Sequence, residues 1–217
     1  MDKQRLVQTA QALVADKKGI LAADESGGTI KRRFDSINVE STEKTRRDYR
    51  EMLFRTAGVS DFISGVILFD ETIRQEGADG TPLVKVLTGQ GMIPGIKVDK
   101  GTIPLPSAPD ELVTEGLDGL RDRLNEYVEL GAGFTKWRAV INIADDTPTP
   151  YGLNANAHSL ARFAALSQEA GLVPIVEPEI LRDGGHSIER CFEVTEETLR
   201  EVFAPLAKQK VFLEGML

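Results

Sequence analysis

An α/β protein made of repeated strand–helix units is the fold class that the sequence predicts, and three features predict it. Short apolar runs recur without the polar alternation of a half-exposed sheet, which is typical of parallel strands buried on both faces. Their starts are separated by roughly 40 residues, the length of a strand, a helix and two loops. The segments between the runs carry apolar residues at helical spacing.

Buried parallel strands of this kind occur in an open doubly wound sheet and in a closed (β/α)8 barrel. A doubly wound nucleotide fold has a glycine-rich turn directly after its first strand, whereas Gly89 and Gly91 precede a strand. The sequence therefore favours a TIM (β/α)8 barrel of which about six units are present, a single domain over 1–217 that is incomplete at its C-terminus. The predicted strands are 19–24, 62–70, 93–99, 134–141, 172–180 and 211–217.

Helices are predicted between these strands. Thr195 begins one that breaks near Pro205, because proline cannot donate a backbone hydrogen bond. The segments 74–92 and 100–116 hold most of the remaining Gly and Pro and are predicted as loops with short helical pieces. The other predicted helices, each ended by a glycine, are 38–58, 117–130 and 156–170.

The composition is that of an ordinary globular protein and excludes several classes. Of the 217 residues, 41% are hydrophobic and 28% are charged. No apolar run approaches the roughly 20 residues that cross a bilayer, and the N-terminus lacks the apolar core of a secretory signal. A net charge of -8 gives no electrostatic footprint for nucleic acid. Because Cys191 has no disulfide partner, we predict a cytoplasmic protein. The apolar runs and the net charge predict that it binds neither membrane nor nucleic acid.

Charged residues interrupt the buried strands at their carboxyl ends. Residues two apart in a strand project from the same face, so each such pair shares one surface. Helices cover the outside of a barrel, and charges are therefore tolerated on the inner face near the mouth, where barrel active sites lie. An internal ion-pair network is the alternative interpretation. The charged strand-end residues are Asp24, Lys97, Asp99, Lys136, Arg138, Glu177 and Glu179.

The predicted pocket should shift pKa values and bind an anion. A lysine crowded by other cations favours its neutral amine, and a desolvated carboxylate favours its acid form. The stretch from Ser26 to Thr29 precedes a possible helix that starts near Ile30, so its hydroxyls and backbone N–H groups could receive a phosphate, aided by the basic run 31–33. A solvated basic turn explains the same residues, and both interpretations stay open.

Metal-dependent chemistry finds little support in the sequence. His158 lies in a predicted helix and His186 in a glycine-rich turn, without paired ligand spacing around either. Cys191 lacks a histidine partner and is predicted to be a small core residue rather than a nucleophile. No metal ion or other cofactor is expected. Trp137 should point outward, under the helices.

A series of runs spread over nearly the whole chain carries a resemblance to a known family. The runs are GILAADES at 19–26, GVILF at 65–69, GIKVDKG at 95–101, GLDGL at 116–120, KWR at 136–138 and PIVEPEI at 174–180. Together they resemble class I fructose-bisphosphate aldolase. The resemblance implies a carbon–carbon lyase of glycolysis and gluconeogenesis on a TIM barrel. Its phosphorylated sugar substrate, fructose 1,6-bisphosphate, would be cleaved through a Schiff base, without metal, to dihydroxyacetone phosphate and glyceraldehyde 3-phosphate.

The resemblance also implies roles for individual residues. Glu177 would be the acid and base that forms and dehydrates the carbinolamine, Asp24 would handle the proton of the C4 hydroxyl, and Lys136 would stabilise developing negative charge. Arg138 and Glu179 would orient these groups. The residues that match substrate-binding positions of the family are Ser26, Thr29, Arg33 and Lys97, all at phosphate positions, and Arg46.

The resemblance implies a Schiff-base lysine outside this sequence. In the family this lysine lies in a run resembling LEGxLLKPN, and the chain ends with LEGML at 213–217. The nucleophile is therefore expected just beyond Leu217, and the chain by itself is expected to lack it. Another lysine-dependent phosphosugar aldolase and a noncatalytic aldolase-like binding module remain as alternatives. The complete protein is expected to be a homo-oligomer, because the family is commonly tetrameric.

Overall fold

A computed structural model describes residues 1–217, the whole chain. Its strands are β1 (Gly19–Ala23), β2 (Ile63–Leu68), β3 (Ile93–Lys97), β4 (Thr102–Leu105), β5 (Ala108–Thr114), β6 (Phe134–Ile141) and β7 (Val173–Ile180). Five of them form a curled parallel sheet with the order β1-β2-β3-β6-β7, in which each strand pairs with the next along the chain. This half-barrel confirms the α/β class and the first five predicted strands.

The helices are α1 (Lys3–Leu13), α2 (Gly27–Asp35), α3 (Glu43–Phe54), α4 (Val59–Phe62), α5 (Asp70–Ile73), α6 (Leu83–Thr88), α7 (Leu120–Glu129), α8 (Pro150–Glu169) and α9 (Ile188–Lys208). Three of them, α3, α7 and α8, confirm predicted helices with shifted ends. The first begins after Thr42, whose side chain accepts from the N–H of Thr45. The last begins early because Thr149 caps it and Pro150 occupies its first turn. None of these helices combines the length and apolar character that a bilayer-crossing segment needs.

The helix α9 differs from its prediction at both ends. It begins at Ile188, where the Ser187 side chain caps its first turn, rather than at Thr195. It also continues through Pro205, so the predicted break is wrong. The turn after the proline stays closed because the Pro205 carbonyl accepts from the N–H of Gln209 at 2.8 Å.

The segment 100–116 is also different, because β4 and β5 pair antiparallel within it. Leu105 and Ala108 are opposite each other, and Ser107 between them has a positive φ of 63°, so a tight turn joins the strands. The prediction of a loop with helical pieces is wrong there. In 74–92, by contrast, α6 is a short helical piece of the predicted kind.

The predicted strand at 211–217 is not a strand. A 3-10 helix occupies Leu213–Gly215, and only Leu217 joins the sheet. The N–H of Leu217 donates to the Pro174 carbonyl at 2.9 Å, and its carbonyl accepts from the N–H of Val176 at 2.8 Å. These two bonds follow the pattern of a parallel ladder with β7.

Different residues fill the two sides of the sheet. Between the sheet and the outer helices, Trp137 is fully buried and stacks on Phe163 of α8, with 5.6 Å between ring centroids. This contact confirms that Trp137 points outward. At the amino ends of the strands, Leu6 and Leu13 of α1 pack with Phe134 of β6 in a separate cluster. The helix α1, for which no prediction was made, closes this end of the half-barrel.

Candidate active site

The carboxyl ends of the parallel strands open into one cavity of about 880 Å³. The charged side chains predicted at these ends meet there because parallel strands present their carboxyl ends at the same edge. Of the predicted site residues, only Arg46 does not line the cavity. Those that do are Asp24, Ser26, Thr29, Arg33, Lys97, Lys136, Arg138, Glu177 and Glu179.

Lys136 of β6 lies between two carboxylates. Its Nζ is 3.0 Å from Oε2 of Glu177 and 3.4 Å from Oδ2 of Asp24. The side chains of Lys136 and Asp24 are each 12% exposed, so this contact is largely shielded from water. Asp24 follows β1, and two strands separate β1 from β6 in the sheet. The curl of the half-barrel is therefore what brings Asp24 to Lys136.

The Lys136 ammonium keeps its proton. Burial lowers the pKa of Lys136, but the charges of Asp24 and Glu177 and their hydrogen bonds outweigh burial, and the pKa rises above its usual value. The expectation that crowding favours a neutral amine is wrong for this lysine, because its nearest charged neighbours are carboxylates. A protonated lysine stabilises negative charge and is a poor nucleophile.

Two further ion pairs lie on the same wall of the cavity. Nε of Arg138 donates to Glu179, and this hydrogen bond raises the pKa of Arg138. Lys97 donates to Oδ1 of Asp99, and Oδ2 of Asp99 accepts from the backbone N–H of Arg138 at 3.3 Å. Pairing explains how the charges of Lys97 and Asp99 are buried, as the ion-pair interpretation requires, whereas Arg138 and Glu179 are partly exposed. The ion-pair interpretation does not explain why an open cavity lies in front of these side chains.

Ser26 and Thr29 belong to the first turn of α2, directly after β1. The helix begins at Gly27 rather than near Ile30, and the side chain of Ser26 makes no capping hydrogen bond. The two side-chain hydroxyls are 3.2 Å apart and line the cavity. Because the helix ends at Asp35, Arg33 lies in its last turn, where the helix dipole favours a cation. The turn's unpaired N–H groups, together with these two exposed hydroxyls, form a suitable place for an anion.

Arg46 lies on α3, away from the cavity. Its guanidinium donates to both oxygens of Glu71, at 2.5 and 2.9 Å, and to the Ser41 carbonyl at 3.1 Å. The hydrogen bond between Arg46 and Glu71 raises the pKa of Arg46 and lowers the pKa of Glu71. The structure does not bring Arg46 together with the other predicted site residues.

One wall of the cavity consists of residues that were not predicted from the sequence. Asp70, at the start of α5, accepts from the hydroxyl of Tyr127 at 2.8 Å and from Arg74 at 3.0 Å. Burial raises the pKa of Asp70, but the hydrogen bonds from Arg74 and Tyr127 outweigh it and lower the pKa. Arg123 lies on the same wall and donates to the Val98 carbonyl at 2.9 Å. A carboxylate just after a buried strand was a signal for Asp70, whereas nothing local marks the residues of α7.

The histidines and the cysteine do not line this cavity. His158 is exposed on α8, and His186 is half-buried before α9. Cys191 is half-buried and packs against a small apolar cluster that contains Ile141 and Val194, so it lies at the edge of the core rather than inside it. No group of three or more His, Cys, Asp or Glu side chains could hold a metal ion.

The curled parallel sheet and the cavity at its carboxyl edge define a (β/α)-barrel protein, with its site where that class has it. The family model described as "Fructose-bisphosphate aldolase class-I" matches residues 5–217. The chain belongs to this family.

Relatives and a solved structure agree with this assignment. A "Probable fructose-bisphosphate aldolase class 1" of Xanthomonas campestris pv. campestris is 59% identical over all of this chain and 65% of its own length. "Fructose-bisphosphate aldolase 1" of Toxoplasma gondii is 54% identical over 99% of this chain and 60% of its own length. The chain thus spans less than two thirds of these relatives.

The solved structure is fructose-bisphosphate aldolase from Plasmodium falciparum, in complex with TRAP and a small molecule inhibitor. It matches with a TM-score of 0.96 at 50% identity, over 98% of this chain and 62% of that one. This match confirms the α/β fold with a curled parallel half-barrel sheet, which agrees with the predicted partial TIM barrel.

Proposed function

We propose that this chain supplies most of the active site of a class I fructose-bisphosphate aldolase, which cleaves fructose 1,6-bisphosphate into dihydroxyacetone phosphate and glyceraldehyde 3-phosphate. The observation that carries the proposal is the Lys136 ammonium held between Glu177 and Asp24. Such a cleavage needs a cation near developing negative charge, an acid–base group at the carbinolamine and a base at the C4 hydroxyl. These three side chains match those needs.

Each role follows from the surroundings of the side chain. Glu177 is 31% exposed, more than its two partners, so it can exchange protons with a bound substrate as the carbinolamine forms and dehydrates. Asp24 faces the cavity from the opposite side and would take the proton of the C4 hydroxyl. Lys136 stays charged and offsets negative charge on the reacting oxygens. Arg138 and Glu179 pair with each other and orient this group.

The substrate's phosphate would bind at the first turn of α2. Ser26 and Thr29 offer hydroxyls there, Arg33 is 60% exposed, and Lys97 lines the same cavity. Cationic side chains and backbone N–H groups together suit a phosphate even in an acidic protein, because the attraction is local. Arg46, which is committed to Glu71, would have no direct contact with this phosphate.

The nucleophile would come from sequence that follows Leu217. Because Leu217 bonds to Pro174 and Val176, it is opposite Ile175 in a parallel register. Continuing this register puts the second following residue opposite Glu177, on the same inward face. This is the residue that the resemblance to LEGxLLKPN makes a lysine, and its amine would form the iminium that accepts electrons when the carbon–carbon bond breaks.

Borohydride trapping tests this proposal. The chain is compared with an extended chain, in which the C-terminal part of the Xanthomonas campestris relative follows Leu217. With dihydroxyacetone phosphate, we expect one label on the extended chain, at the appended lysine, and cleavage of fructose 1,6-bisphosphate that a chelator does not inhibit. Replacing that lysine by methionine is the control and should abolish both. Labelling of Lys136 or Lys97 in either chain would contradict the assigned roles.

The extended chain also separates the other candidates. Cleavage of fructose 1-phosphate alone would indicate another phosphosugar aldolase, and no cleavage would indicate a binding module.

We also propose a cytoplasmic location, supported by "Fructose-bisphosphate aldolase 6, cytosolic" of Arabidopsis thaliana, which is 52% identical over 98% of this chain. A homo-oligomer is proposed for the complete protein, and sedimentation of the extended chain tests it.

A further inference from the structure

Arg50 of α3 is fully buried beside the cavity, and no step of the proposed reaction uses it. Its Nη2 donates to the backbone carbonyl of Glu25 at 2.8 Å. The same nitrogen is 3.8 Å from Oε2 of Glu25, and Nη1 is 3.6 Å from Oε2 of Glu71. A fully buried arginine is uncommon and is costly unless its neighbours compensate the charge. Its position therefore needs an explanation.

Arg50 connects the carboxyl ends of two neighbouring strands. Glu25 follows β1, while Phe69 and Glu71 follow β2. The guanidinium carbon also lies over the Phe69 ring, 5.9 Å from its centroid. Because Arg50 bonds to the main chain of Glu25, it fixes the peptide that leads into Ser26. It thus holds the segment that carries a proposed base, Asp24, and the proposed phosphate turn.

Glu25 extends this constraint into the cavity. Its side chain is 6% exposed, and its Oε1 accepts from Nη1 of Arg33 at 2.5 Å. On the other side of Arg50, Glu71 pairs with Arg46. Opposite charges therefore alternate from the cavity to the outer helix, in the order Arg33, Glu25, Arg50, Glu71 and Arg46. Arg50 is the only fully buried member, so both carboxylates face a fixed cation.

We propose that Arg50 is a positioning residue that orders the turn 24–29 and, through Glu25, sets the direction of Arg33 so that this turn can receive a phosphate. The proposal rests on the proposed function for the sugar-phosphate ligand, whereas the ordering of the turn does not depend on it. Lysine is not equivalent here, because its ammonium lacks the planar fork that reaches the carbonyl and both carboxylates.

Burial lowers the pKa of Arg50, and the charges of Glu25 and Glu71 oppose that change. Arginine nevertheless stays protonated in proteins, so this anchor is permanent rather than a pH switch.

Two measurements on the 217-residue chain test the proposal. Backbone hydrogen exchange at Ile30, whose N–H donates to the Ser26 carbonyl at 3.0 Å, reports the order of the turn without ligand, and amide chemical shifts of Gly27 and Gly28 report titration with inorganic phosphate. We expect Arg50→Met to speed exchange at Ile30 and to weaken phosphate binding, each about tenfold, because one hydrogen bond to a charged group is lost. Arg50→Lys should fall between Arg50→Met and the wild type.

Two control variants separate positioning from general stability. Arg47→Met removes an arginine of the same helix that pairs with Asp48 at its surface, and both measurements should stay within about twofold. Leu13→Ala weakens the core at the opposite end of the strands. It should speed exchange throughout the chain, without a preference for Ile30.

The outcomes decide separately on Arg50 and on the phosphate site. Wild-type exchange at Ile30 in Arg50→Met overturns the positioning role. If the wild-type chain fails to bind phosphate at Gly27 and Gly28, the phosphate assignment fails, and exchange at Ile30 still decides on Arg50. If Arg50→Met does not fold, Arg50→Lys decides, because faster exchange at Ile30 supports the role and wild-type values in both measurements overturn it.

Discussion

The amino and carboxyl ends of the same five strands have opposite chemistry. At the amino ends, Phe134 and Val173 pack with Leu13 of α1 in an apolar cluster. At the carboxyl ends, the inward side chains are ions around a cavity. Along β6, the inward positions are Phe134, Lys136 and Arg138, each two residues from the last. One strand face thus changes from packing to charge within a few residues, so position along the strand separates stability from chemistry.

Glycine shows how closely the amino end is packed. A Cβ on Gly95 would come within 2.3 Å of the Phe134 ring, and a Cβ on Gly65 within 2.5 Å of Leu13. A larger side chain fits at Gly95 only if the Phe134 ring moves, and at Gly65 only if the Leu13 side chain moves. The carboxyl end has an open cavity at the same strands instead. A change at one end should therefore affect stability, and a change at the other should affect binding and catalysis.

The largest effect is expected at the packed end. Phe134→Ala should lower the free energy of unfolding by about 3–5 kcal/mol, because it removes a buried ring between two glycines. Urea denaturation of the chain measures this loss. Phe62 is 69% exposed, and Phe62→Ala should leave the midpoint almost unchanged. Equal losses of unfolding free energy in Phe134→Ala and Phe62→Ala would contradict the role of the apolar end in stability.

Lys136→Met should affect catalysis at the charged end. In the extended chain, the rate of fructose 1,6-bisphosphate cleavage should fall about 100- to 1000-fold, because a preorganised cation is lost near the developing negative charge. Initial rates at saturating substrate measure kcat. The exposed Lys44 pairs with Asp48, and Lys44→Met is the matched control with an unchanged rate. If kcat stays the same in Lys136→Met, the role of this lysine is wrong.

Gly95→Ala gives a smaller effect at the packed end. The added methyl would collide with Phe134, and we expect a loss of about 1–3 kcal/mol in unfolding free energy. Adding Phe134→Leu should recover part of it, since the smaller side chain makes room. A methyl added at Gly185 would meet no atom within 4 Å, so Gly185→Ala should be nearly neutral. If the losses in unfolding free energy of Gly95→Ala and Phe134→Leu simply add in the double variant, the proposed contact is contradicted.

The sequence reveals the parts of this molecule that depend on local pattern. Buried parallel strands are apolar runs, and paired charges two residues apart mark which strand ends face the cavity. That is why Lys136 and Glu177 could be predicted as neighbours. The hairpin of β4 and β5 was missed because its Gly and Pro resemble a loop. The apolar run after Val211 resembles a strand, although only Leu217 pairs with β7.

Arg50 could not be predicted because its role depends on contacts distant in sequence. Its hydrogen-bond partner, Glu25, is 25 residues away, and Glu71 belongs to a different strand end. The one local signal is that Arg50 and Phe54 share the buried stripe of α3. A charged residue on such a stripe indicates a buried partner, but the partner's identity comes from the curled sheet.

The smallest effect concerns the pH dependence of the two ends. The hydrogen bond from Arg46 holds the pKa of Glu71 below its ordinary value of 4.5. A depressed carboxylate pKa contributes stability above the unfolded pKa, and this contribution is lost as the pH falls through the folded pKa. The loss caused by Glu71→Gln should therefore be constant near neutral pH and shrink below about pH 4.5.

Urea denaturation between neutral and acidic pH measures this difference, with Phe134→Ala as the comparison. The loss in Phe134→Ala should not follow the titration of Glu71, because no ionisable group is removed from the apolar cluster. Glu71 is 25% exposed, so solvent screens its pairing and keeps the effect small. A pH-independent loss in Glu71→Gln would mean that its ion pair does not stabilise the carboxyl end, and the electrostatic half of the comparison would then fail.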